Sequence, residues 1–147
     1  MKTKALFVGF FLISTAYTIS AVSISYVTCQ ELARNMDYLS GKDGFRWYLI
    51  NVLPRYICAE CTIPGSINIP VHLLDKKLKS SQKWPRDRKI IVCCVGGVSP
   101  LSRYAYEIIK NLGFDDVHIL EGGMSAWKNY GYSVIGKCRA GYLGAQL

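Results

Sequence analysis

Apolar and polar positions along this chain of 147 residues follow two different periods. Residues 89–94 include an unbroken Ile-Ile-Val run, which is typical of a buried strand, and residues 47–52 have the same β-branched and aromatic character. After Pro100 the spacing becomes helical, and a helix is predicted there because an apolar stripe recurs up to Gly113, a residue type that often ends helices. The stripe consists of Leu101, Ala105, Ile108, Ile109 and Leu112.

Shorter elements fill most of the remaining chain. Thr28-Cys29-Gln30-Glu31 has the form of a capping box and predicts a first helix. We expect short strands at residues 67–69 and 117–120, a helical segment at 72–80, a helix that includes Trp127, and a long loop over residues 53–66. Strands that alternate with helices through short connections predict an α/β domain with a parallel sheet.

A candidate nucleophile follows the predicted strand at residues 89–94. In parallel sheets ligands bind beyond the carboxyl ends of the strands, where Cys94 lies. Ser99-Pro100 predicts a helix start, whose free N–H groups and dipole favour a thiolate or a bound anion. The alternative is a small buried core residue, and strand alternation favours that role for Cys93.

The first residues have the pattern of a targeting segment rather than of a folded domain. Lys2 and Lys4 precede a long apolar run that ends in small residues, so residues 1–23 predict a signal peptide and export to the periplasm or outside the cell. An uncleaved segment would instead anchor the protein to a membrane. Residues 24–135 then form one domain, and residues 136–147 form a Gly-rich tail that we expect to be loosely held.

Charge and composition limit the classes of partner that the chain is expected to bind. Without Lys2 and Lys4, the chain has 16 of its 18 basic residues and 10 acidic residues, which gives a formal charge of +6. A positive charge of this size favours solubility and small anionic ligands. The chain carries no arginine-rich stripe with interleaved aromatic residues, so we expect no nucleic-acid partner. We expect a monomer without a cofactor.

Six cysteines in a chain with an export signal make disulfides an expectation. Cys58 and Cys61 form one C-x-x-C unit, which could be a local disulfide, a redox pair or two unrelated thiols. A zinc site would need a second pair of suitable spacing, and Cys93-Cys94 does not provide one. We therefore expect no metal.

Two longer motifs are specific enough to indicate a family. They are Ile63-Pro64-Gly65-Ser66-Ile67-Asn68-Ile69-Pro70 and Leu120-Glu121-Gly122-Gly123-Met124-Ser125-Ala126-Trp127. Together with the Cys94 loop, they resemble the rhodanese-like family of single-domain sulfurtransferases. The resemblance implies a three-layer α/β fold, with a central parallel sheet and helices on both faces.

The same resemblance implies a two-step reaction at a loop of six residues. Cys94 would take sulfane sulfur from a small anionic donor such as thiosulfate and hold it as a persulfide. It would then pass the sulfur to a thiol or to cyanide. The other loop residues and one nearby arginine would bind the donor: Val95, Gly96, Gly97, Val98, Ser99 and Arg103.

The chain departs from the family pattern where the family carries charge. The loop commonly ends in Arg-Ser, but Ser99-Pro100 or, in a second alignment, Leu101-Ser102 stand there. The family's Asp and Arg after the first long strand are Asn51 and Leu53, and its Gly-His is Cys61-Thr62. Arg103 could supply charge only if its side chain reached back toward Cys94.

These departures leave several hypotheses open beside the sulfurtransferase. A phosphatase is disfavoured because phosphoryl transfer needs the arginine clamp that the loop lacks. A rhodanese-fold module that binds a partner without catalysis would explain the lost charges. A further alternative is thiol exchange between Cys94 and the Cys58/Cys61 pair.

Overall fold

The computed structural model describes residues 23–39, 47–80, 83–96 and 99–139. Within them five parallel strands form one sheet in the order β1-β5-β4-β2-β3. The strands are β1 (Tyr26–Val27), β2 (Trp47–Asn51), β3 (Ile67–Asn68), β4 (Lys89–Cys93) and β5 (Val117–Leu120). The helices are α1 (Cys29–Arg34), α2 (Arg55–Glu60), α3 (Leu74–Lys79), α4 (Pro100–Asn111) and α5 (Gly123–Asn129).

Helices cover both faces of the sheet, as the resemblance implies. Strand alternation sends Ile50 and Val92 into one core cluster, together with apolar residues of α3 and α4. It sends Leu49 and Ile91 into a second cluster, which includes Leu32 of α1 as well as residues of α5. The predicted three-layer α/β fold is therefore confirmed. Trp127, which is 2% exposed, belongs to the second core.

The predicted helix starts are also confirmed. The Thr28 hydroxyl accepts a hydrogen bond from the Glu31 amide at 3.1 Å and caps α1. Ser99 caps α4, with Pro100 in the first turn. The caps satisfy N–H groups that have no partner within their helix, which explains why these short motifs locate the helix starts.

The expected loop over residues 53–66 is wrong in one part, because it contains α2. Pro54 directly precedes this helix, and its φ of −51° suits a helix start. Helix α2 has only six residues and one buried side chain, Cys58, so it shows no apolar period in the sequence. Strand β1, with two residues, is likewise too short to be recognised by alternation.

The expected loose tail is also corrected for its first residues. Cys138 forms a disulfide with Cys61, and its amide donates to the Glu60 carbonyl at 2.9 Å. Thr62 and Ile135 exchange two backbone hydrogen bonds beside the disulfide. These contacts hold the chain against the end of α2 up to residue 139.

Residues 1–22 of the predicted signal segment and the last eight residues lie outside the described part. No helix among the described residues is long and apolar enough to cross a lipid bilayer.

Candidate functional site

Cys94 lies where the sequence predicts it, directly after the central strand β4. This strand pairs with β2 on one side and β5 on the other, so the Cys94 loop leaves the middle of the sheet at its carboxyl edge. The Cys93 carbonyl accepts a hydrogen bond from the Val52 amide at 3.0 Å, which fixes the backbone just before Cys94. The pairing of β4 in the sheet therefore fixes the position of the Cys94 backbone at the start of the loop.

Ser99 connects the sulfur of Cys94 to the start of α4. Its hydroxyl donates to Cys94 Sγ at 3.2 Å, while its oxygen accepts from the Ser102 amide at 3.1 Å. The Ser102 hydroxyl donates to the Ser99 carbonyl at 2.9 Å, and its oxygen lies 3.4 Å from the Ser99 hydroxyl as a second, longer acceptor for the Ser99 proton. A helix cap and a hydrogen bond to the candidate nucleophile are thus combined in one side chain.

The beginning of α5 holds the loop backbone from the other side. The amides of Met124 and Ser125 donate to the carbonyls of Cys94 and Val95, both at 2.9 Å. Gly123 has a φ of +56°, and a Cβ placed there would lie 2.5 Å from the Cys94 carbonyl oxygen. Only glycine fits at this contact. The Gly-Gly of the second motif therefore positions the Cys94 loop.

Uncharged side chains replace the family's charged ones at the end of β2. Asn51, fully buried, donates from Nδ2 to the Thr62 hydroxyl at 3.1 Å and accepts from the Leu53 amide at 3.1 Å. The Thr62 hydroxyl also accepts the thiol proton of Cys58 and lies 2.7 Å from the Ser66 hydroxyl. These four residues, Asn51, Cys58, Thr62 and Ser66, form one uncharged network of hydrogen bonds.

Arg103 lies on α4 beside a cavity that the described residues of the Cys94 loop do not line. It lines a cavity of about 370 Å³ along α4, between the helix and the chain just before β1. The other described lining residues are Ile24, Tyr106, Glu107, Lys110 and Asn111, and none of them belongs to the Cys94 loop. The spacing of Arg103, Glu107 and Lys110 places them on one helix face.

Cys93 is fully buried in the second core, as strand alternation predicts. Burial raises the pKa of its thiol well above 9.0, and the nearby thiols Cys94, Cys29 and Cys58 raise it further. Burial and the Glu121 carboxylate also raise the pKa of Cys29, whose thiol donates to the Glu121 carbonyl. Neither residue resembles a reactive thiolate.

Of the three alternatives for Cys58 and Cys61, the local disulfide and the redox pair are wrong, because the two cysteines are not bonded to each other. Cys61 is bonded to Cys138 with an S–S distance of 1.99 Å, while Cys58 is a free thiol that donates to Thr62. The extended backbone of Cys61, directly after α2, allows its sulfur to reach the returning C-terminal segment. A C-x-x-C spacing alone could not reveal this pairing, because Cys138 is 77 positions away.

Two predicted loop residues, Gly97 and Val98, lie outside the described residues. Gly96 is described, and a Cβ added there would meet no atom of the described residues within 4 Å. Among the residues that the structure describes, no three His, Cys, Asp or Glu side chains come together in a way that could hold a metal ion.

Several contributors to the site were not identified from the sequence as site residues. Met124 and Ser125 act through their backbone amides, so their side chains give no signal, although their motif was recognised. Thr62 and Ser66 act through a network that forms only when the segment after α2 folds against β2.

A comparison with known families decides the identity of the fold. A profile described as the rhodanese-like domain matches residues 30–130. The chain belongs to the rhodanese-like family. The prediction made from the Ile-Pro-Gly and Glu-Gly-Gly motifs is confirmed.

One curated protein is similar to a short part of this chain. The thiosulfate sulfurtransferase GlpE of Shewanella oneidensis is 46% identical over 41 residues, which are 28% of this chain and 39% of that protein. The match therefore spans well under half of that relative's length.

Solved structures agree with the fold. A rhodanese-related protein from Thermoplasma volcanium has a TM-score of 0.61 and 27% identity, over 76% of this chain and 97% of that chain. A thiosulfate sulfurtransferase from Pseudomonas aeruginosa has a TM-score of 0.65 and 22% identity, over 77% of this chain and 20% of that chain. Both structures show that the chain shares its fold with these proteins.

Proposed function

We propose that this protein is a sulfurtransferase that carries sulfane sulfur as a persulfide on Cys94. The observation that carries the proposal is the position of the Cys94 sulfur, which follows the central strand and accepts the Ser99 hydroxyl proton at 3.2 Å. A thiolate needs hydrogen-bond donors and a positive potential, and the start of α4 supplies both.

The proposed reaction has two steps. The Cys94 thiolate attacks the outer sulfur of the donor, a new S–S bond forms, and the donor's remaining part leaves with the electron pair of the broken bond. With thiosulfate the leaving group is sulfite. In the second step a thiolate or cyanide attacks the outer sulfur of the persulfide and regenerates the Cys94 thiolate.

The two neighbours of the sulfur have separate roles in this reaction. The Ser99 hydroxyl stabilises negative charge on Cys94 Sγ, both before attack and after release of the product. The Met124 and Ser125 amides keep the loop backbone in place by binding carbonyls that would otherwise be free to turn. Neither role requires the arginine that the family loop commonly has.

Export is part of the same proposal. Residues 1–23 support a signal peptide by their basic start and apolar run, and the Cys61–Cys138 disulfide suits an oxidising compartment. N-terminal sequencing of the protein recovered outside the cytoplasm would test this. A new N-terminus near residue 24 would support export, and an intact Met1 in the cytoplasm would contradict it.

The function is tested by intact-mass analysis after incubation with a sulfane donor, without reductant. The wild-type chain should gain one sulfur atom, and Cys94→Ser should gain none. Cys29→Ser, which removes a free thiol of the second core, is the matched control and should still gain the sulfur. If wild type gains no sulfur from thiosulfate, polysulfide or hydropersulfide, the protein is not a sulfur carrier, and a partner-binding role replaces this proposal.

A further inference from the structure

We propose that Ser25, His118 and Asp116 form a second catalytic site, in which Ser25 accepts acyl groups from small activated esters. The three side chains are joined in a row. The Ser25 hydroxyl lies 2.8 Å from His118 Nδ1, and His118 Nε2 lies 2.5 Å from Asp116 Oδ1. A hydroxyl, an imidazole and a carboxylate in this order are the groups that nucleophilic catalysis by serine uses. The proposal is independent of Cys94.

The row lies at the amino edge of the sheet. Ser25 directly precedes β1, Asp116 directly precedes β5, and His118 is the second residue of β5. Strands β1 and β5 are parallel neighbours, so their starts lie at the same edge. Cys94 follows the end of β4 and therefore lies at the opposite edge. The second site is thus separate from the Cys94 site.

The Asp116 carboxylate decides which ring nitrogen of His118 carries a proton. An ionised carboxylate accepts hydrogen bonds and cannot donate them, so Nε2 donates to Asp116. In the neutral ring Nδ1 then has no proton and accepts the Ser25 hydroxyl proton. An imidazole in this protonation state can remove the serine proton during attack.

Backbone hydrogen bonds of the sheet hold the three residues in place. The Ile119 amide donates to the Ser25 carbonyl at 2.9 Å, and the Ile90 amide donates to the Asp116 carbonyl at 2.8 Å. His118 lies in β5 itself, between β1 and β4. Because the sheet fixes these backbones before a substrate binds, little freedom is lost when the reacting groups meet.

The Tyr26 amide supplies a donor for the acyl oxygen. The peptide bond between Ser25 and Tyr26 is trans, and its carbonyl points to β5. Its N–H therefore points the opposite way, to the outer edge of the sheet in the described part of the chain. The amide that follows a nucleophilic serine is a known donor to the oxyanion that forms during attack.

The site is open to solvent, so a small molecule can reach it. The His118 and Asp116 side chains are 18% and 47% exposed, and Ser25 is half-buried. With the Tyr26 amide as its oxyanion donor, the site favours esters that have a good leaving group, such as a phenol. These esters need less stabilisation of the oxyanion than amides do.

The proposed reaction passes through an acyl-serine. The Ser25 oxygen attacks the carbonyl carbon of the ester while His118 takes the hydroxyl proton. The bond to the leaving group breaks, and the leaving group departs with the electron pair and receives this proton. Water then attacks the acyl carbon with the same imidazole as base, which releases the carboxylic acid and restores Ser25. Asp116 acts through His118 as a positioning residue.

A fluorophosphonate probe tests the nucleophile. Ser25 should attack the phosphorus atom, and fluoride should leave with the electron pair of the broken bond. After incubation of the full chain, intact mass should show one added phosphonate group, and fragmentation of the tryptic peptide that ends at Arg34 should place it on Ser25. Ser25→Ala should gain none. Ser23→Ala, which removes an exposed serine two positions away, is the matched control and should react like wild type.

The other two residues are tested by the rate of phosphonate gain. His118→Gln has no base and should react at least about a hundredfold more slowly. Asp116→Asn should react about tenfold more slowly, and Asp116→Glu should be faster than Asp116→Asn because it restores the charge that stabilises the imidazolium. A merely structural contact would not respond to this charge. Ser25 should also account for p-nitrophenyl acetate hydrolysis, measured as the difference between wild type and Ser25→Ala.

Each outcome supports or contradicts the proposal. A phosphonate on no serine, or on Ser23 and Ser25 equally, would show that Ser25 is not activated. Folded His118→Gln that reacts at the wild-type rate would also contradict it, and urea denaturation reports whether the variant is folded. The labelled position in wild type needs no substitution, so it decides the matter even if a variant does not fold. Ser25→Ala should still gain sulfur on Cys94, because the two sites lie at opposite edges.

Discussion

The two faces of the sheet hold cysteines of different kinds. The second core, beneath α1 and α5, contains Cys29, Cys61 and Cys93, and Cys138 packs against its edge. On the other side, Cys94 belongs to the first core and accepts a hydroxyl proton at the start of α4. The side of the sheet with the second core, called the structural side, holds the disulfide, and the side with the first core, called the reactive side, holds the cysteine that we propose as the sulfur carrier.

Cys93 and Cys94 lie on opposite sides of the sheet and differ in the surroundings of their thiols. They are adjacent in sequence, yet strand alternation and the end of β4 give them different surroundings. Burial raises the pKa of Cys93, which holds its thiol protonated in the core. Cys94 instead has a hydrogen-bond donor and a helix start beside its sulfur. The residue type is the same at both positions, and the position on the sheet gives the two thiols their different surroundings.

The largest expected effect lies on the structural side. The Cys61–Cys138 disulfide closes a loop with a sequence separation of 77, so Cys138→Ser should lower the free energy of unfolding by about 4 kcal/mol in urea denaturation. Cys61→Ser/Cys138→Ser should lose about the same amount, because both variants remove one crosslink. Cys94 should still gain sulfur in either variant under native conditions. A loss below about 1 kcal/mol would show that the disulfide is not a main source of stability.

The contact between the two sides is tested at Gly123. Gly123→Ala adds a Cβ 2.5 Å from the Cys94 carbonyl oxygen at a left-handed φ, so it should cost about 2 kcal/mol and slow sulfur gain. Gly113→Ala is the matched control, because Gly113 has a φ of +83° but open space around it. It should cost only about 1 kcal/mol and leave sulfur gain as it is. Equal effects of the two variants on sulfur gain would contradict the role of α5 in holding the loop.

The buried thiol of Cys93 predicts a pH effect on stability. Its pKa is raised above 9.0 in the folded state, so the unfolded chain loses the proton first as the pH rises. Stability should therefore fall above about pH 9, by up to about 1.4 kcal/mol per pH unit from this group, until the folded thiol also ionises. Urea denaturation across this range should show a shallower fall for Cys93→Ala than for wild type. Parallel profiles would show that Cys93 does not resist ionisation.

The smallest expected effect is at Ser99, where a comparison with Thr28 separates the loss of a helix cap from the loss of the hydrogen bond to Cys94. Ser99→Ala and Thr28→Ala each remove a helix cap, so each should cost about 1 kcal/mol in the same denaturation measurement. Only Ser99 donates to Cys94 Sγ, so only Ser99→Ala should slow sulfur gain, by about tenfold at most. If both variants gain sulfur at the wild-type rate, the hydroxyl has no part in the reaction.

The sequence allowed the fold to be predicted because its signals are local. Residues 89–94 show a strand, the Ser99-Pro100 start and the apolar stripe show α4, and the two family motifs indicate the rhodanese-like fold around them. These features depend on neighbours within a few residues. Helix α2 was not predicted, because six residues with one buried side chain show no helical spacing of apolar residues.

The details of the site depend on contacts that are distant in sequence. The Met124 and Ser125 amides reach the carbonyls of Cys94 and Val95 from α5, and Asn51 of β2 donates to Thr62 beyond α2. The partner of Cys61 is likewise at the far end of the chain. A sequence shows which residue types are present, but pairings of this kind form only when the sheet brings their segments together.

The most direct test locates the added sulfur between the two adjacent cysteines. After loading from a hydropersulfide and alkylation of the persulfide, trypsin should release residues 90–103, which contain both Cys93 and Cys94. Fragment ions that divide this peptide between Cys93 and Cys94 assign the extra sulfur atom to one of them. The account predicts that it is on Cys94, with Cys93 unmodified. An extra sulfur on Cys93, or on both residues equally, would contradict the division between a structural and a reactive side of the sheet.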